Sequence, residues 1–220
     1  MQNNDFVRVG YSARIKETNQ MFDKSDNIPT IIGAGLVIKG LEEALKEMKV
    51  GEKKSVEILP EKGFGNRDPK LIKLITISEF RKHEINPQPG MLVEVDNLGG
   101  RTLTLPTNKG KVLSVSSGRV AVDFNHPLAG KTLIYDVEIK EIIEKPEDKI
   151  RTLIEIYTRI DKINVVINNK EVEIVVPPLI NPVYKKKIAD DIIKFLDLEK
   201  VKFSEIFEKP KEEVKQNASK

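Results

Sequence analysis

The sequence predicts an α+β protein, with amphipathic strands around one short amphipathic helix, a small all-β insert and a second α+β unit after it. Three observations carry this expectation. Residues Asp5 to Lys16 alternate with a period of two, Gly40 to Met48 places apolar residues at helical spacing, and the texture of the chain changes near residue 70 and again after Pro146. With 220 residues the chain has room for two or three small domains. It is 39% hydrophobic, enough for packed cores, and its net charge of +3 is small beside 37 basic and 34 acidic side chains, so bulk charge gives no reason to expect nucleic acid. With no cysteine in the chain, disulfides and cysteine-based redox or zinc chemistry are excluded. Met1 to Phe6 holds no apolar export run, and no stretch approaches the roughly 20 apolar residues that cross a bilayer. The expectation is a cytoplasmic protein with no membrane partner.

In the first strand Val7, Val9, Tyr11, Ala13 and Ile15 share one face, while Arg8, Ser12, Arg14 and Lys16 take the other. This is the pattern of a half-buried antiparallel strand with the Tyr11 ring inward. Met21-Phe22-Asp23 follows a polar break and leads into a stretch read as turn-rich as far as Pro29. The helix Gly40 to Met48 has acids early and Lys49 at its end, and Val50-Gly51 stops it. Lys54 to Leu59 resumes strand-like alternation, with Val56 and Ile58 inside, and Pro60 closes that strand. Leu133 to Lys140 alternates again, with Tyr135 inward.

Between them, about Asp68 to Phe124, short β-type runs are separated by turn signals. The runs are Met91 to Val95, Thr102 to Leu105, Lys111 to Val115 and Arg119 to Phe124; Lys70 to Glu79 reads as linker or strand, and Asn125 to Gly130 as the exit turn. After Pro146 a helical pattern reaches Ile160. A hairpin is expected around Asn168-Asn169-Lys170, then a helix with Asn181 as N-cap and Pro182 as its first residue, then a strand from Val201 to Phe207. Lys209 to Lys220 is charged and polar and is expected to be disordered.

The order of pieces now matters. A strand with Tyr11 is followed by Phe22-Asp23, by Gly35-Leu36-Val37-Ile38-Lys39-Gly40-Leu41-Glu42, by Met48-Lys49-Val50-Gly51-Glu52-Lys53, by a strand ending at Pro60, by Gly63-Phe64-Gly65, and by Thr132 to Ile139. Together they resemble the FKBP-type peptidyl-prolyl cis/trans isomerases, across residues 1–70 and 126–145. The long interruption after Phe64-Gly65 and the exit sequence Asn125-His126 to Gly130 are similar to SlyD-like members with an insert-in-flap domain. The added C-terminal segment resembles the long archaeal members.

The resemblance implies a bent antiparallel sheet wrapped around one helix. The domains would be an isomerase body at 1–70 plus 125–145, a client-binding insert at 71–124, an α+β domain at 146–208 and a tail at 209–220. It further implies isomerisation of X-Pro bonds in unfolded or proline-containing polypeptides. The catalytic residues would be Tyr11, Phe22, Asp23, Phe64 and Tyr135, with Ile28, Val37, Ile38, Leu41 and Leu128 binding substrate. Asp23 would be the polar group that orients Tyr11 or the substrate carbonyl, and the Ile38 N–H would donate to a substrate carbonyl. Leu41 stands where many members carry Trp, and Phe64 where Tyr is commonest. In the insert Met91, Val93, Leu103 and Leu105 would meet clients. The C-terminal domain would serve dimerisation, with ribosome docking as the other reading.

Rotation about an X-Pro bond crosses roughly 18–20 kcal/mol and takes tens of seconds unaided. A 10³- to 10⁵-fold acceleration needs only about 4–7 kcal/mol. No bond is made or broken, so the chemistry calls for no cofactor and no metal. An inert body used only for holding unfolded chains is the alternative. Gly33-Ala34-Gly35 lacks the βαβ setting of a dinucleotide loop, and His83 and His126 have no partner at metal-ligand spacing.

Overall fold

The computed structural model describes residues 1–94, 109–161, 163–177 and 180–206. The elements run in the order β1 (Phe6–Ile15), β2 (Met21–Ile31), α1 (Lys39–Glu47), β3 (Lys53–Ile58), β4 (Ile72–Thr76), α2 (Ile77–Lys82), β5 (Leu92–Glu94), β6 (Lys109–Ser116), β7 (Arg119–Asp123), β8 (Leu133–Ile143), α3 (Pro146–Thr158), β9 (Asn164–Asn168), β10 (Glu171–Val176), α4 (Pro182–Leu196) and β11 (Lys200–Glu205). They form three sheets and an α+β protein, as the sequence predicts.

The first sheet has the order β2-β1-β8-β3 with antiparallel pairing throughout. Register shifts in β1 near Val9 and Ala13 mark bulges, which turn a strand and tighten its twist. One face closes on α1: Leu41 and Leu45 of the helix pack with Val7, Val9, Ala13, Leu133, Val137 and Ile139. Gly40 allows this close approach, because a Cβ there would meet Ile58 Cγ2 at 2.6 Å.

The stretch read as turn-rich, from Met21 to Pro29, belongs instead to the eleven-residue strand β2. Its side chains are mostly exposed or half-buried and do not alternate cleanly, so the strand is imposed by its ladder with β1 rather than by its own pattern. Pro29 is tolerated because β2 is the sheet edge, where a missing N–H costs no inner ladder bond.

The opposite face of this sheet is not simply solvated. Phe6, Ile31 and Ile143 join α3, α4 and the C-terminal strands in one core. Phe6 meets Phe195 edge-on at 6.0 Å, and Arg8 makes a fork to Glu155 at 3.2 and 2.6 Å. The C-terminal helices therefore lie between their own sheet and the first one.

In the insert, the order β4-β7-β6-β5 is antiparallel and Phe80, Val93, Val112, Val120, Val122 and Phe124 form the core. This unit also carries a helix: α2 follows β4 inside the segment read as linker or strand. It is six residues long with Phe80 as its buried residue, so tertiary packing rather than propensity holds it. The C-terminal unit pairs β10 antiparallel to β9 and parallel to β11. Its helix α4 starts as predicted, the Asn181 side chain accepting the Val183 N–H at 2.9 Å with Pro182 as the first helical residue. The expected strand over Thr102 to Leu105 and the tail 209–220 lie outside the described residues. No described helix is long and apolar enough to cross a membrane.

Candidate active site

Tyr11 on β1 and Tyr135 on β8 both point to the α1 side of the sheet. Tyr135 pairs with Ala13, which makes Tyr11 its diagonal neighbour, and the two rings lie 5.6 Å apart. Phe22 meets Tyr135 edge-on at 6.0 Å. Asp23 lies opposite Ala13 on β2, and the Tyr11 hydroxyl donates to its Oδ2 at 2.7 Å. The other Asp23 oxygen accepts the Lys24 N–H at 2.8 Å, so the carboxylate is held from two directions. Burial, then the neighbouring Asp23 charge, pushes the Tyr135 phenol up to about 12. Burial and the Asp23 hydrogen bond push Tyr11 well above the ordinary tyrosine value. Both phenols stay protonated as donors through the physiological range.

These rings border a hollow of about 430 Å³ lined by Tyr11, Ile28, Gly35, Leu36, Val37, Ile38, Leu41 and Tyr135. Among the described residues the Ile38 N–H has no hydrogen-bond partner, although its carbonyl accepts the Leu41 and Glu42 N–H groups at 3.0 Å. The arrangement is apolar, with two phenols and one free amide donor, and has no nucleophile placed for bond making. It suits a substrate whose chemistry is rotation rather than cleavage.

Family models and relatives narrow this further. Residues 73–128 match the family described as FKBP26, IF domain, and residues 146–208 match FKBP26_C-terminal. A short-type peptidyl-prolyl cis-trans isomerase of Methanocaldococcus jannaschii is 33% identical over 153 residues, spanning 63% of this chain and 91% of the relative. The chain belongs to the FKBP-type peptidyl-prolyl cis-trans isomerases. The FKBP-type 16 kDa isomerase of Escherichia coli is 28% identical over 145 residues, covering 64% of this chain and 93% of the relative. The FKBP-type isomerase SlyD of Helicobacter pylori is 29% identical over 159 residues, covering 68% and 82%. The chain is thus an isomerase of the SlyD-like FKBP type, with an insert and an added C-terminal unit.

Within this FKBP-type body the residues named from sequence fall in two groups. Tyr11, Ile28, Val37, Ile38, Leu41 and Tyr135 line the hollow, with Phe22 and Asp23 against its tyrosines. Phe64 and Leu128 pack on the same core but are not among the lining residues. Phe64 instead stacks flat on His126, ring centroids 4.3 Å apart. The His126 Nδ1 accepts the Leu128 N–H at 3.1 Å, which fixes the neutral tautomer, and burial holds its pKa below the usual histidine value.

The client-side residues need a correction. Val93 is buried at 3% exposure, because the alternation of β5 turns it into the insert core. Its neighbour Leu92 takes the outer face at 69%, and Met91 is exposed. Leu103 and Leu105 lie outside the described residues.

Sequence reasoning missed Glu42. One of its oxygens accepts both the Gly33 N–H at 2.9 Å and the Gly35 N–H at 3.1 Å, tying the loop that lines the hollow to the first turn of α1. Both glycines have positive φ, the region where a side chain is strained. The available signal was a loop with two glycines nine and seven residues before an acid at a helix start.

Proposed function

We propose that the hollow takes the proline ring of an X-Pro segment and eases rotation about its imide bond, while the insert holds the polypeptide that carries it. The observation supporting the first half is the Tyr11–Asp23 pair beside an apolar hollow with the unpartnered Ile38 amide at its edge. A twisted amide has lost its resonance and part of its polarity, so an apolar site favours it over the planar form. In this reading the Ile38 N–H anchors a flanking substrate carbonyl, Asp23 holds Tyr11, and Tyr135 walls the ring. Leu41 in place of a larger ring leaves a floor that accepts varied residues before proline.

The second half draws on the outer face of the insert sheet. The pairings Ile72 with Asp123, Asp123 with Lys111 and Lys111 with Leu92 carry Ile72 and Leu92 to one face, and Leu74 sits two residues from Ile72. Leu74 is 65% and Leu92 69% exposed, and among the described residues β4 and β5 are the sheet edges. Exposed apolar side chains beside open edges suit an extended, partly folded chain. Holding it near the hollow raises its local concentration to about the millimolar range.

Dimerisation through the C-terminal unit is part of this reading. Helix α4 leaves Val183, Tyr184 and Ile193 exposed and β9 leaves Val166 exposed, so two copies have apolar surface on which to pair, which sedimentation equilibrium tests.

The test uses a proline-limited refolding protein beside a prolyl tetrapeptide. Asp23→Ala lowers the rate on both, whereas Leu74→Ser with Leu92→Ser lowers only protein refolding. Aggregation suppression that persists in a wild-type protein with no isomerase signal on either substrate overturns the catalytic half. Equal loss on both substrates in the leucine variant overturns the holding half.

A further inference from the structure

The two segments that join the insert to the isomerase body, residues 65–71 and 123–130, are bonded to each other at successive levels. Gly130 N–H donates to the Gly65 carbonyl at 2.8 Å, and Phe124 N–H to the Leu71 carbonyl at 3.0 Å. Between these levels Arg67 pairs with Asp123. Asn125, 9% exposed, uses its whole amide: the side-chain oxygen accepts the Asp68 N–H at 2.8 Å, and the NH₂ donates to the Asp68 carbonyl at 3.0 Å and to Asp123 Oδ1 at 2.7 Å. The same Asp123 oxygen also takes the Asn125 backbone N–H at 3.0 Å. The network continues into the β4–β7 ladder at the Ile72–Asp123 pair on one side. On the other it reaches the stacked Phe64–His126 rings of the isomerase core.

A passive linker has no use for a saturated, buried amide. A junction that only tethered the insert would be served by solvated glycine and serine, which leave the joined parts free to reorient. Four levels of bonds between two antiparallel segments form a strut instead, and buried polar networks of this kind fix one geometry when every member is satisfied. Asn125 is the member that touches both segments at once. We infer that Asn125, with Arg67 and Asp123, is a positioning cluster that fixes the aim of the insert's client face toward the proline hollow, so that it serves protein substrates and not short peptides. This rests on the reading that the insert holds the client.

The experiment uses the full chain. Because it has no cysteine, Lys46→Cys and Ser116→Cys give a clean spin-label pair reporting the distance from α1 to the insert. With Asn125 intact the distance distribution is narrow. In Asn125→Ala it broadens, the rate on a proline-limited refolding protein falls about fivefold as effective concentration is lost, and tetrapeptide turnover stays within about twofold, a difference of under roughly 0.5 kcal/mol. If Asn125→Ala unfolds the insert, seen as lost amide-exchange protection at Val112 and Val122, Arg67→Gln takes its place and is read by the same criteria. An unchanged distribution, unchanged protein refolding, or an equal fall on the tetrapeptide overturns the inference. The Leu74→Ser and Leu92→Ser variant separates the two levels. If it leaves refolding intact, the holding role itself is wrong; if it lowers refolding while Asn125→Ala does not, only the positioning role is.

Discussion

Among the described residues two tyrosine–aspartate pairs look alike on paper. Tyr11 donates to Asp23 at 2.7 Å in the isomerase body, and Tyr157 donates to Asp191 at 2.5 Å between α3 and α4. In both, burial and the adjacent carboxylate raise the phenol's pKa. The surroundings differ. Asp191 is 6% exposed, pairs with Lys187 at 3.5 Å, and sits where helices close on one another. Asp23 is exposed, and its tyrosine borders an apolar hollow. The same two residues fasten helices in one place and line open space in the other, so a perturbed side-chain pair identifies a site only when there is room beside it for something else.

Four measurements break or sharpen that contrast. Asp191→Ala removes a buried charged acceptor and lowers stability by about 1.5–3 kcal/mol, read as a fall in the denaturation midpoint, while turnover per folded molecule is unchanged. Asp23→Ala reverses the pattern: kcat/KM on a prolyl peptide falls about tenfold, roughly 1.4 kcal/mol, and the midpoint moves little. A result in which both variants lose stability alike and neither loses turnover would abolish the distinction. Tyr11→Phe keeps the ring and loses one hydrogen bond, costing about threefold to tenfold in kcat/KM, in line with roughly 0.5–1.5 kcal/mol. The smallest effect concerns pH. His126 has its folded pKa depressed below an unfolded value near 6.5. Its contribution is therefore complete above that pH and declines as pH falls toward the folded pKa, where a proton on Nδ1 displaces the Leu128 N–H. Urea unfolding at pH 7.5 and 5.5 shows a slightly larger loss for wild type than for His126→Phe.

What the sequence disclosed followed from periodicity and local chemistry. β1, α1 and β8 each bury one face at a fixed spacing, and Asn181-Pro182 announces a helix start by cap geometry alone. β2 stayed hidden because an exposed edge strand need not alternate, and α2 because one buried phenylalanine in six residues makes no period. The docking of the C-terminal unit was illegible for a different reason. Phe6 reads as a strand end, and its partner Phe195 lies far along the chain. At the site, the family resemblance brought forward rings that meet around the hollow, yet it also carried Phe64, whose stacking on His126 depends on the insert's exit segment. Glu42 escaped because its contacts are to backbone N–H groups, which leave no mark in residue types.

Phe6, Ile31 and Ile143 have a consequence for synthesis. On a ribosome the strands that carry them are complete about fifty residues before Phe195 of α4, the ring that covers Phe6. At ordinary elongation rates that is roughly 3–10 s during which the nascent sheet presents a greasy outer surface. An isomerase of this design spends its own first moments with part of its core uncovered, and is finished only when its last helix arrives to cover it.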